Sequence, residues 1–200
     1  MTQQPYHKYV FDTENRKFVG RFEEMYANEE REGFDSWFQE DLRHPTKQGS
    51  WELLKNYRFS SILDIGCGKG AFTNQLATIA DSVMGVDISQ TAIAKAEQRY
   101  PGIRFSTATA EEALSAPQRW DAIVMLEVLS YLQNWEEVLQ KAAAKANYVY
   151  ITLYLPPDPI GFVKSFEELR EVFNTLFSLE KEVLKNNETI YLLGKSKHHG

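Results

Sequence analysis

Ser61-Ile62-Leu63-Asp64-Ile65-Gly66-Cys67-Gly68-Lys69-Gly70-Ala71-Phe72 is the stretch on which the fold turns. Ile62, Leu63 and Ile65 form a short apolar run with β-branched members, the pattern of a buried strand. Glycines follow at every second position, and Phe72 and Leu76 then stand four apart, as on one helix face. The order is strand, glycine turn, helix. Glycine has no Cβ to block close approach and tolerates positive φ, so this order brings bare backbone against a ligand. The following helix start would aim unpaired N–H groups at the same place. Gly66-x-Gly68-x-x-Ala71 also satisfies the loose dinucleotide fingerprint. Asp64 argues against that reading: its carboxylate would repel a pyrophosphate and attract a ligand carrying an ammonium and a sulfonium. Lys69 reads as a solvated turn residue, with service to a phosphate as the other reading.

Working outward, Val83, Met84 and Val86 make a second strand that ends in Asp87. That is about twenty residues past the glycines, where a carboxylate is needed to accept from both ribose hydroxyls. The other reading of Asp87 is companion to a helix cap at Ser89. The two stretches Asp64-Ile-Gly66-Cys-Gly68-Lys-Gly70 and Val83-Met-Gly-Val-Asp87-Ile-Ser89 resemble the first and second motifs of class I S-adenosylmethionine-dependent methyltransferases. With the later segments, the resemblance covers roughly residues 46–195.

The resemblance implies an α/β three-layer sandwich with a seven-stranded, mostly parallel sheet and an antiparallel C-terminal hairpin. It implies S-adenosylmethionine as cofactor, S-adenosylhomocysteine as product, and methyl transfer to oxygen or nitrogen of a small-molecule acceptor. It places cofactor contacts at Asp64, Gly66, Cys67, Gly68, Gly70 and Asp87, with Ile88 against the adenine face. The adenine amino contact falls at Thr109, Ala110 and Glu111. Family members often carry Asp where this chain has Thr109, so the contact passes to the threonine hydroxyl or to the backbone of Ala110 or Glu111. Glu111 and Glu112 read equally well as acids of a helix first turn.

Trp120 to Leu126 is a fourth strand, and Glu127 stands at its carboxyl end. Ligands of open parallel sheets lie beyond those ends. Asp64, Asp87 and Glu127 therefore share one rim. Glu127 and Tyr131 are the candidate catalytic residues, with Glu127 also a candidate cofactor contact and Tyr154 next in line for the acceptor. A sulfonium leaves as neutral thioether, so the enzyme's task is alignment and exclusion of water, with a base useful for a hydroxyl or ammonium acceptor. Glu127-Val-Leu-Ser stands where adenine- and glutamine-directed members carry Asp/Asn-Pro-Pro-aromatic. No His, Cys or carboxylate cluster has metal-ligand spacing.

Tyr6 through Phe38 is crowded with aromatics and flanked by Glu23, Glu24, Glu29, Glu30 and Glu32. Phe18, Phe22 and Tyr26 are spaced for one helical stripe, and the acids read as a solvated face. In proteins of the resembling family such an extension covers the cofactor cleft. Trp37, Phe38 and His44 are the candidate lid and substrate residues here. The chain is read as one domain, 1–200, with residues 1–45 a helical lid and 46–200 the α/β core. Helices are expected over 46–57, up to Asp81-Ser82 after the glycine turn, at Asn134 with a capping-box-like start, and after Ser165. Phe177–Lys185, an Asn186-Asn187 turn and Glu188–Lys195 make the closing hairpin.

The net charge of −6 disfavours a nucleic-acid or anionic-membrane partner. Cys67 is the single cysteine, so no internal disulfide forms. No apolar run approaches the ~20 residues that span a bilayer. The opening Met-Thr-Gln-Gln-Pro-Tyr-His-Lys lacks the apolar core of a signal peptide, and a cytoplasmic location is expected. His198 and His199 enter no functional argument. Two alternatives remain: an NAD(P)-binding oxidoreductase, against which Asp64 and the hairpin speak, and a non-catalytic S-adenosylmethionine-binding module.

Overall fold

The computed structural model describes residues 4–197. His198 and His199 lie outside them. The described chain begins with α1 (His7–Val10), a two-stranded ribbon of β1 (Phe11–Asp12) and β2 (Lys17–Phe18), and α2 (Phe22–Glu32). A 310 turn at Ser36–Phe38 leads to α3 (Pro45–Leu54), which starts on a proline at its first position, where the missing N–H is harmless. An alternating α/β series follows: β3 (Phe59–Ile65), α4 (Ala71–Leu76), β4 (Ala80–Asp87), α5 (Gln90–Arg99), β5 (Arg104–Thr107), α6 (Ala110–Ser115) and β6 (Trp120–Leu126). After a 310 turn at Leu129–Tyr131 come α7 (Trp135–Lys145), β7 (Ala146–Tyr154), α8 (Phe166–Leu176), β8 (Phe177–Lys185) and β9 (Thr189–Ser196).

Seven strands form one sheet in the order β5-β4-β3-β6-β7-β9-β8. Pairing is parallel from β5 to β7, and β9 runs antiparallel to both neighbours. Strand alternation sorts the core into layers. Leu63, Ile65, Ile123, Met125, Val149 and Ile151 meet Leu114, Val138, Leu139, Leu169 and Phe173 of α6, α7 and α8. Ile62, Ala122, Val124 and Tyr150 point the other way, onto Leu54 of α3 and Phe72 and Leu76 of α4. The three-layer, mostly parallel arrangement with a terminal hairpin is the one expected. Among the described residues, no helix is long and apolar enough to cross a membrane.

Four local expectations need correction. Phe18 is not on a helix with Phe22 and Tyr26; it sits in β2, and Gly20 at φ +67 breaks the chain between them. α4 ends at Leu76, and Asp81 and Ser82 lie inside β4, because pairing with β3 begins as early as Phe59↔Ala80. Asn134 gives α7 no side-chain cap, whereas Ser89, Thr109 and Ser165 do cap their helices by accepting from Ala92, Glu112 and Glu168 N–H. Lys69 is not solvated: it is 4% exposed, held in a cluster of acids described below. Asp121 is structural, with one carboxylate oxygen accepting from Ser60 N–H at 2.9 Å and the other from Asn147 at 2.9 Å.

The hairpin is locked to the layers through Phe173. Its ring is fully buried, lies 4.6 Å from that of Phe177, and fills the place where Gly194 of β9 lacks a Cβ. Truncation of a buried Phe typically costs about 3–5 kcal/mol. Phe173→Ala is expected to lower unfolding free energy by about that amount in urea titrations, with Leu184→Ala on the exposed side of β8 changing it by less than about 0.5 kcal/mol.

Candidate active site

β3 lies between β4 and β6, the point where strand order reverses direction, so the turns after these strands splay apart and leave a crevice. The β3–α4 turn fills that place with Gly66, Gly68 and Gly70, at φ +74, +52 and +79. Gly66 is required twice over: its φ is left-handed, and a Cβ there would collide with Val128 Cγ2. Gly66 and Cys67 both donate to Val86 O, at 2.8 and 3.0 Å, tying the turn to β4. Asp64, at the penultimate position of β3, is buried and accepts from Thr73 Oγ1 at 2.6 Å. Asp87, at the end of β4, accepts from Gly68 N–H and Ser89 N–H, both at 2.9 Å. Burial pushes the Asp64 carboxyl up to about 7, with the nearby Asp87 charge adding to the rise, and burial raises Asp87 as well.

Glu127 follows β6 in a left-handed conformation, φ +59, which strains a residue other than glycine. Its Oε2 accepts from Tyr154 N–H at 2.7 Å. Its Oε1 is buried without a hydrogen-bond partner among the described residues. Burial raises this carboxyl to about 7, against the lowering influence of the Tyr154 N–H and of Lys47. Lys47, from α3, is itself buried and lowered by desolvation to about 8. Its ammonium donates to Phe38 O at 2.7 Å and Trp37 O at 3.4 Å, the carbonyls of the 310 turn whose two φ values are both +50.

Asp64, Asp87, Glu127 and Lys47 all line one cavity of about 1040 Å³. Its other walls are aromatic, from Tyr6, Phe11, Phe18, Phe22, Tyr26, Trp37 and Tyr131, and it runs on past Tyr154 to the Pro156–Gly161 loop. Among the described residues, no group of three or more His, Cys, Asp or Glu could hold a metal ion.

The N-terminal segment is fastened across this crevice at two points. Glu23 of α2 accepts from Ser89 Oγ at 2.6 Å and from Thr91 N–H at 3.2 Å, reaching the start of α5 beside Asp87. Gln39 accepts from Lys69 N–H at 2.7 Å and donates to Tyr26 OH at 2.6 Å, lying over Gly68 where a Cβ would otherwise be. The Lys69 ammonium meets Asp35 at 2.7 Å, Glu29 at 3.1 Å and Glu40 at 3.4 Å. Lys95 and Arg99 of α5 complete the network, at 3.2 Å from Glu29 and 2.8 Å from Glu40.

A family model described as a methyltransferase domain matches residues 34–185, three quarters of the chain. The chain belongs to this methyltransferase-domain family. The ubiquinone biosynthesis O-methyltransferase of Azorhizobium caulinodans is 32% identical over 90 residues, 43% of this chain and 36% of that protein. Nodulation protein S of Bradyrhizobium diazoefficiens is 28% identical over 134 residues, 66% of this chain and 61% of that protein. The chain thus spans between about a third and three fifths of the length of these curated relatives. Among solved structures, the N-methyltransferase NodS of Bradyrhizobium japonicum WM9 in complex with S-adenosyl-l-homocysteine shares the fold. Its TM-score is 0.69 at 20% identity, over 86% of this chain and 98% of that one. A TehB-like SAM-dependent methyltransferase of Corynebacterium glutamicum shares it too, with a TM-score of 0.63 at 19% identity, over 88% of this chain and 96% of that one.

Of the residues singled out from sequence, the methyltransferase domain brings Asp64, Gly66, Cys67, Asp87, Ile88, Ala110, Glu127, Tyr131, Trp37, Phe38, His44 and Tyr154 into the cavity wall. His44 stacks on Phe38, ring centroids 5.2 Å apart. Gly68, Gly70, Thr109 and Glu111 are not in that wall. Gly68 turns its N–H to Asp87, and Thr109 forms a reciprocal capping box with Glu112. Sequence reasoning missed Gln39, Lys47 and the Lys69 cluster. The capping box was legible as Thr109-x-x-Glu112; Lys47 and Gln39 carried no local signal, since their roles depend on contacts with residues far along the chain.

Glu29 and Lys69 have side chains only 4% and 5% exposed, so removing one partner strands a buried charge. Lys69→Met is expected to destabilise the fold by roughly 3–5 kcal/mol. The lower end is expected because Lys95 remains beside Glu29. The midpoint of a urea transition measures this, and a loss below about 1 kcal/mol would remove the cluster from the account of how the N-terminal segment is held.

Proposed function

We propose that this chain binds S-adenosylmethionine in the glycine crevice and transfers its methyl group to oxygen or nitrogen of a small-molecule acceptor held among the aromatic side chains. The observation that carries the reading is one cavity lined both by the carboxylates beside the glycine turn and by aromatic side chains, with the buried Oε1 of Glu127, unpartnered among the described residues, in its wall. Its volume slightly exceeds the range of roughly 300–1,000 Å³ typical of small-ligand sites, which suits a nucleoside and an acceptor together. Relatives named for O-methylation and N-methylation support both kinds of acceptor. The same reading takes residues 1–45 as a lid on a single domain and places the reaction in the cytoplasm.

The residues present fit the cofactor by charge. Asp64, which is buried, and Asp87, which is partly buried, lie beside Gly66 and Cys67, where a sulfonium and an ammonium compensate them. Each oxygen of Asp87 keeps a free lone pair after accepting from Gly68 or Ser89, so the carboxylate still accepts from ribose hydroxyls. Ile88, half exposed at the cavity edge, offers an apolar face for adenine. When bound, the cofactor supplies an electrophilic methyl on a sulfur that departs as neutral thioether. The chain contributes alignment and dryness: Trp37, Phe22 and Tyr131 pack around the acceptor space, and the Gln39 and Lys69 contacts close the segment over it. Glu127 Oε1, raised to about 7 by burial, is placed to take a proton from an acceptor near neutral pH.

Calorimetric titration with S-adenosylhomocysteine and with NAD tests the cofactor, and release of labelled methyl across an acceptor panel tests turnover. Binding of S-adenosylhomocysteine alone, with transfer, is expected. Preference for NAD would replace the reading with an oxidoreductase, and binding without transfer to any acceptor would favour a non-catalytic module. Asp87→Ala should weaken S-adenosylhomocysteine by about 10- to 150-fold, the equivalent of roughly 1.5–3 kcal/mol for a charged hydrogen bond. Unchanged affinity in a folded variant would sink the ribose assignment.

A further inference from the structure

Among the described residues, the acceptor half of the cavity holds a carboxylate with no ion-pair partner, Lys47 acting on it only from a distance. Glu127 Oε2 is held by Tyr154 N–H at 2.7 Å, which fixes the carboxylate plane, while Oε1 is buried and has no hydrogen-bond partner among the described residues. Lys47 is the cation in the same wall, yet its ammonium is turned to the carbonyls of Phe38 and Trp37 at 2.7 and 3.4 Å and forms no ion pair with Glu127. Beside Glu127 stands Tyr131, with the rings of Phe22 at 5.3 Å, Phe18 at 5.9 Å and Trp37 at 5.9 Å from it, centroid to centroid. All four rings line the cavity. Asp158 and Glu188 add further carboxylates to the wall.

An orphaned, desolvated carboxylate oxygen needs both a hydrogen-bond donor and a positive charge. A hydroxyl supplies only the first, and an acceptor with a carboxylate or phosphate near its reacting atom would add repulsion. An ammonium supplies both, and aromatic faces attract it further through their quadrupoles. We propose that the acceptor is an amine with an apolar or aromatic body, docked as its ammonium with the nitrogen on Glu127 Oε1 and the body against Phe18, Phe22, Trp37 and Tyr131. This rests on the methyltransferase reading above and narrows its acceptor from oxygen or nitrogen to nitrogen. Glu127 then has a second task. One ammonium proton passes to Oε1, the N–H bonding pair stays on nitrogen as the lone pair that accepts the methyl, and the proton leaves to water once product departs.

The test is calorimetry on the full chain loaded with S-adenosylhomocysteine, titrated with phenethylamine and with 2-phenylethanol, which share a body and differ in the docking group. The wild type is expected to bind the amine at least tenfold more tightly than the alcohol. Glu127→Gln, which keeps an acceptor for Tyr154 N–H, is expected to erase that preference while leaving S-adenosylhomocysteine affinity within threefold of wild type. The proposal is overturned if the alcohol binds as well as the amine, if neither binds, or if the preference survives in the variant. A fall in S-adenosylhomocysteine affinity in Glu127→Gln, with amine preference kept, would give Glu127 to the cofactor and also overturn it. The wild-type comparison does not depend on the variant folding. Loss of S-adenosylhomocysteine binding by the wild type is a separate result: it removes the methyltransferase reading itself.

Discussion

Three carboxylates drawn wholly or partly out of water, with no cation paired to them among the described residues, set the character of this molecule. Asp64, Asp87 and Glu127 end three strands that are neighbours in the sheet, β3, β4 and β6, so the fold itself brings them to one rim. Burial raises all three above the usual carboxylate range, to about 7 for Asp64 and Glu127. A desolvated carboxylate is costly unless something positive arrives. On the proposed reading the site is shaped in advance for a cationic donor, and the cost of holding it in the free protein is offset by the large apolar layers on either side of the sheet.

The disposition of the lysines follows from that constraint. Lys69 sits between Gly68 and Gly70 and could have neutralised the crevice from within. It points outward instead, into Glu29, Asp35 and Glu40 of the covering segment. Lys47 is spent on two backbone carbonyls. Each cation is used to fasten the N-terminal segment or the turn at Trp37 and Phe38, and the cavity keeps its negative character. The N-terminal segment is therefore anchored to the glycine turn through Gln39 on Lys69 N–H, and to the start of α5 through Glu23. Covering the crevice and holding its glycine turn rest on the same contacts.

Most of the sheet was legible because its strands are short apolar runs ending in glycines or acids. The sequence pattern at Asp64 to Gly70 and at Asp87 located the rim, and Glu127 was found from the strand before it. What escaped was decided by distant residues. The α4 boundary shifted because β4 pairs with β3 from Ala80 onward, overriding the turn character of Asp81-Ser82. Phe18 matched a helical spacing with Phe22 that Gly20 interrupts. Lys69 looked solvated because a lysine in a glycine turn usually is; its three acids lie 29 to 40 residues earlier, on elements that only the tertiary fold brings to it. Thr109 matched a ligand position and also a capping box, and the hydroxyl is used by the box.

The most direct test of the central claim is a carbon-detected NMR titration of the Asp64 and Glu127 carboxyl groups, in the free protein and with S-adenosylmethionine bound. A nearby positive charge favours the ionised form, so it lowers a carboxyl pKa. The account predicts midpoints near 7 in the free protein, falling by about one unit or more when the sulfonium and ammonium are in place. Midpoints already at the ordinary value of about 4, or unmoved by the ligand, would contradict it.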